Sequence, residues 1–146
     1  MKKQFWLIDL PSAAFCGLFI GYEGQRTADS GEFYLDKIII SVSIAASAYL
    51  AAAFITYWIG SKTRHRIPQW VQIAVCGSAL CALFQNCIYF LIYNWHHIQK
   101  YSSLWVEIGD RATAFLVVTL INSVISLLIM GIIHLACYGL SRLRIA

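Results

Sequence analysis

Residues 1–22 read MKKQFWLIDLPSAAFCGLFIGY, and how this stretch is read decides whether the chain carries three apolar spans or four. Two lysines lead into an apolar run of about the length needed to cross a hydrocarbon core, roughly 20 residues for 30 Å. Asp9 and Pro11 interrupt it. As a cleaved signal peptide the stretch is poor, because its uninterrupted apolar core, FWLI, is shorter than the usual h-region of about 7–15 residues. A lipoprotein signal ending at Cys16 fails on bulky Phe15, where a small residue is expected. The segment is therefore expected to be a retained span over about residues 5–22.

The rest of the chain sets the context for that reading. Of 146 residues, 60% are hydrophobic and 12% are charged, against about 45–50% and about 25% in soluble domains. A soluble fold of this size has too little interior to hide so much apolar surface. Three further runs are long enough to span, at about residues 37–59, 67–93 and 112–140. The expected fold class is an all-α integral membrane protein, one domain over 1–146, built as a bundle of four transmembrane helices.

Charge placement orients the bundle. Lys2 and Lys3, then Lys62, Arg64 and Arg66 in IGSKTRHRIP, then Arg142 and Arg144 make seven of the eleven basic residues. They fall at the N-terminus, the second connection and the C-terminus, with no acidic residue among them. Six of the seven acidic residues fall in the first and third connections. Basic loops stay on the cytoplasmic side during insertion, so both termini are expected inside, in the bacterial inner membrane. The net charge of +4 is then an insertion signal, and direct nucleic-acid binding is not expected because no basic stripe or soluble domain exists to support it. Lys62, Arg64, Arg66, Arg142 and Arg144 are instead expected to form an inner surface for lipid headgroups or for a cytoplasmic effector protein, itself a candidate DNA binder. Trp6, Tyr22, Tyr34, Tyr57, Trp58, Trp70, Tyr93, Trp95 and Tyr138 sit at the expected span ends, where aromatic residues prefer the half-wet interface. In the third connection Trp95, Ile98, Tyr101 and Trp105 suggest an apolar face on a short surface helix, or a lid over the bundle.

No enzyme chemistry emerges. The five cysteines all lie within spans without a Cys-x-x-Cys, which argues against a disulfide-generating oxidase and for small apolar filler. His96 and His97 are adjacent, so on a helix they diverge by about 100° and make a poor metal pair. No cofactor or metal is expected, and GYEG and GSK read as turn glycines.

Polar residues inside spans carry the remaining information, since they are costly unless partnered. Gln85 and Asn86 on the third span and Asn122 on the fourth lie at one level, about 12–15 Å from the same surface at 1.5 Å per residue. They are expected to form an amide cluster, as interhelical glue or as a constriction around an oligomer axis. Ser43, Ser47 and Ala51, with Ala48 and Ala52 alongside, form a small-residue stripe for close helix packing within or between subunits, and a homo-oligomer is expected. Asp9 and His134 lie at comparable depths near the inner face. They either pair with one another, or Asp9 faces Lys3, Arg64 or Arg66 while capping the start of the first helix.

The turn Ile59, Gly60, Ser61, Lys62, Thr63 and Arg64, with part of the preceding AAAFITYW, resembles the corresponding region of the RexB phage-exclusion family. In its four short spans and scant soluble mass the chain is also similar to the membrane subunit KwaA of the Kiwa system. These resemblances imply phage defence but no particular mechanism; the expected function is a non-enzymatic, oligomeric membrane component that senses a membrane disturbance and relays it to a cytoplasmic partner. A depolarising ion channel, and an immunity or assembly factor binding another membrane protein, are the competing classes.

Overall fold

A computed structural model describes residues 2–28, 35–60, 67–89 and 104–143. Among them all but Ile67 and Pro68 are helical. A first helical segment runs through Lys2–Gln4, a π-helical turn Phe5–Asp9 and helix α1, Leu10–Ala28. Helices α2 (Leu35–Gly60), α3 (Gln69–Tyr89) and α4 (Leu104–Leu143) follow. Among the described residues three stretches are long and apolar enough to cross a membrane: Phe5–Gly24, Lys37–Ile59 and Ala112–Leu140. The fourth apolar stretch, Gln69–Gln85, is shorter.

The helices pack in chain order and antiparallel. Phe5 stacks on Tyr57 at 4.2 Å between ring centroids, while Gly17 meets Ala46 and Gly21 meets Val42, so position rises on α1 as it falls on α2. Tyr49 of α2 lies on Gly77 of α3, and Trp70 of α3 lies against Gly131 and His134 of α4. Pro68 opens α3, its carbonyl accepting from the Gln72 amide at 3.3 Å.

The buried face of α1 explains the first 22 residues. Asp9, Ser12, Ala13, Cys16, Gly17, Ile20 and Gly21 are all buried, recurring at the three- and four-residue steps that mark one side of a helix. Most are small, so the backbone of α2 approaches closely. A Cβ added at Gly17 would lie 2.5 Å from the Ala46 Cα, and one at Gly21 2.5 Å from the Val42 Cα. The Ser41 hydroxyl uses this proximity to donate to the Gly21 carbonyl at 3.0 Å. Gly21 and Gly24 are thus helical, and GYEG is not a turn. Glu23 correspondingly belongs to α1 and not to a connection.

Pro11 does not break the helix. It lacks an N–H, and its ring would crowd the carbonyl four residues back. The preceding turn widens instead into the π-helical stretch Phe5–Asp9, closed by the Leu10 amide bonding to the Phe5 carbonyl. The helix accordingly starts well before Asp9, which is not its cap, and Phe5 is fully buried.

Of the expected small-residue stripe on α2, the flanking Ala48 and Ala52 are the members buried within the subunit. Ser43 and Ser47 are exposed and Ala51 is half-buried; the buried set is Ala45, Ala48, Tyr49, Ala52, Ala53 and Thr56. Exposed Ser43 donates back to the Ile39 carbonyl at 2.7 Å. Leu104–Arg111, expected partly as a surface segment, is the opening of the 40-residue α4, about 60 Å long at 1.5 Å per residue.

Candidate functional site

The structure joins the two ionisable side chains nearest the π-helical turn. His134 Nε2 lies 2.8 Å from Asp9 Oδ1, with the two side chains 13% and 3% exposed. The other ring nitrogen, Nδ1, lies 2.8 Å from the Met130 carbonyl one turn back on α4. A carbonyl only accepts, so Nδ1 carries a proton. Trp70 stacks on the imidazole, with centroids 5.5 Å apart and planes 28° apart. Beside Asp9 on its own helix, Phe5 stacks on Tyr57 and the Ser12 hydroxyl donates to the Ile8 carbonyl at 2.5 Å. The first and last helices are therefore joined by a pair whose histidine is oriented by a second hydrogen bond.

Where the contact Nε2–Oδ1 forms, one proton must lie between the atoms. If it sits on Nε2 the pair is imidazolium and carboxylate; if on Oδ1, neutral imidazole and carboxylic acid. Either arrangement has zero net charge. That matters between helices of this hydropathy, where an uncompensated charge has no water to solvate it.

A second polar group lies in the centre of the helices. Tyr49 Oη is 2.7 Å from Ser78 Oγ and also bonds Ser126 Oγ, so one phenol contacts both α3 and α4. Ser78 donates to the Ala74 carbonyl and Ser126 to the Asn122 carbonyl, each at 2.7 Å. With both serine protons so used, the single Tyr49 proton is donated to one serine oxygen at a time. The ring of Tyr49 fits because Gly77 has no side chain: a Cβ there would meet the ring at 2.5 Å. Sequence reading missed this cluster. Its signal was Ser78 following Gly77, a hydroxyl beside a gap, on a helix facing a lone tyrosine at mid-span.

Of the expected amide cluster, the side chains of Gln85 and Asn122 are described. Gln85 and Asn122 are both half-buried, and among the described residues no hydrogen bond joins them. Asn122 instead lines a groove of ≈ 540 Å³ between α1 and α4, with Ile20, Glu23 and Ile125. The side chain of Asn86 lies outside the described residues, as do those of Lys62, Arg64, Arg66, Arg142 and Arg144 and the pair His96–His97. Among the described residues no three His, Cys, Asp or Glu side chains converge as a metal site needs. Cys16 and Cys81 are buried, Cys137 is half-buried, and Cys76 and Cys87 are exposed on the outside of the helices.

No family model, curated protein or solved structure matches the chain.

Proposed function

We propose that the protein is a non-enzymatic, four-span component of the bacterial inner membrane, with both termini cytoplasmic. It acts in anti-phage defence as a homo-oligomer that senses a disturbance of the bilayer and relays it to a cytoplasmic effector. The observation that carries the relay is the Asp9–His134 contact. It couples the first helix, next to the N-terminus, to the last helix, which leads to the C-terminus, so a change in helix packing moves both ends of the chain. Opposed basic and acidic connections support the orientation. The likeness of the turn 59–64 to the RexB family supports the defence setting. Exposed Leu116, Leu120, Val124, Leu128, Ile132 and Leu135 on α4 offer lipid or a second subunit a continuous aliphatic ridge.

The test is phage challenge of cells carrying the gene with its neighbouring genes, alongside purification of the tagged protein. Protection, an oligomer and a co-purifying cytoplasmic protein are expected. Arg64→Glu with Arg66→Glu should abolish co-purification while membrane insertion is retained. Unchanged susceptibility with a properly inserted protein would overturn the defence reading. Steady conductance of the purified protein in liposomes would replace the relay with a channel.

A further inference from the structure

We propose that Asp9 and His134 form a proton-dependent latch that ties α4 to the π-helical turn before α1 and releases when the pair loses its shared proton. The device goes beyond the relay reading and stands whether or not the protein acts in defence.

The argument is a count of protons against acceptors. His134 faces two acceptors at 2.8 Å, the Met130 carbonyl at Nδ1 and Asp9 Oδ1 at Nε2. The arrangement is satisfied when the ring carries two protons beside a carboxylate, or one on Nδ1 beside a carboxylic acid. Removing one proton leaves a carboxylate and a ring with a single N–H. That ring can serve Met130 or Asp9 but not both, because the other nitrogen then points a lone pair at an oxygen lone pair. The system also passes from zero net charge to −1 at an aspartate whose side chain is 3% exposed. Both changes act against the closed contact.

The elements packed here supply little to offset that charge. Along α1 and the turns before it the nearest charged residue is Lys3, which is exposed. From α2 comes Tyr57, stacked on Phe5. The start of α3 brings Trp70 and Gln69, neither of which titrates, and α4 brings Cys137 and Tyr138 beyond His134. The cations of residues 61–66 lie outside the described residues.

The latch also has a moving part. The turn it holds is the π-helical Phe5–Asp9, a wider and less common helical form than the α-helix, formed against Pro11. Further along the same seam, α1 and α4 are parted by the groove lined by Ile20 and Asn122. Release at Asp9 therefore frees the end of the seam that is closed.

The experiment uses the full chain in liposomes, with its five cysteines replaced by alanine and nitroxides on Leu7→Cys and Leu135→Cys, both exposed positions flanking the latch. Distances are read from about pH 4 to about pH 10, a range bracketing the ordinary aspartate and histidine titrations. A single short distance is expected at intermediate pH, and its loss is expected at the alkaline end. Nitrogen NMR of His134 should show Nδ1 protonated wherever the short distance persists. Asp9→Asn separates a latch from a merely structural contact. Its amide can donate to an unprotonated Nε2, so the alkaline loss should disappear in that variant. Asp9→His with His134→Asp serves as a second variant, expected to restore a pH-dependent short distance. A wild-type distance unchanged across the range, or an alkaline loss that persists in Asp9→Asn, overturns the proposal.

Discussion

The first and last helices are joined by the Asp9–His134 contact yet are opposite in character. Phe5–Gly24 has a mean hydropathy of 1.4 and 44% of its apolar window is buried; Ala112–Leu140 has a mean hydropathy of 2.6 and 11% of its window is buried. The more apolar helix is the more exposed. In water this would be a fault, but in hydrocarbon it is the expected order, because lipid tails solvate leucine as well as a protein core does. What a membrane helix buries is what lipid solvates badly or what permits close backbone approach. In the first helix these are Asp9, Ser12, Gly17 and Gly21; in the last, Ser126 and Met130 are buried and His134 nearly so.

The contrast can be broken by mutation, and the expected effects descend in order. Largest is His134→Leu, which leaves Asp9 buried without its partner and should cost about 3–5 kcal/mol of unfolding free energy in bicelles. Adding Asp9→Leu should return much of that loss. Next is Gly17→Leu, where the Cβ alone would strike the α2 backbone; about 3 kcal/mol is expected. Gly139→Leu on α4, with nothing within 4 Å of an added Cβ, should be neutral in the same assay. Tyr49→Phe should cost about 1 kcal/mol. Ser78 and Ser126 keep their own carbonyl acceptors, so only the link between helices is lost. Smallest is Leu120→Ala on the exposed ridge, which should stay within about 0.5 kcal/mol in the monomer. Weakened self-association measured by native mass spectrometry would mark that ridge as a subunit contact.

These two helices also show how far the sequence could be read. The aliphatic stretches at 37–59 and 112–140 were legible because hydropathy over a window as long as a bilayer is all that insertion requires. The comparable depth of Asp9 and His134 was legible too, from rise per residue alone. Which partner Asp9 takes was not, because depth says nothing about azimuth. The same gap left open which small residues of α2 pack within the subunit. Small residues line two faces of that helix, Ser43–Ser47–Ala51 and Ala45–Ala48–Ala52, and only the neighbours determine which one is buried. Gly21 misled for a related reason, since a glycine near a span end serves equally as a turn or as a seat for a neighbouring backbone. Its four-residue spacing from Gly17 and Ala13, in register with Asp9, carried the answer.

The account rests on a real energetic link between the first and last helices, and a double-mutant cycle of Asp9→Leu and His134→Leu in bilayers measures it directly. A coupling of about 2 kcal/mol or more is predicted. A coupling below about 0.5 kcal/mol would contradict it, showing the two side chains to be neighbours and nothing more.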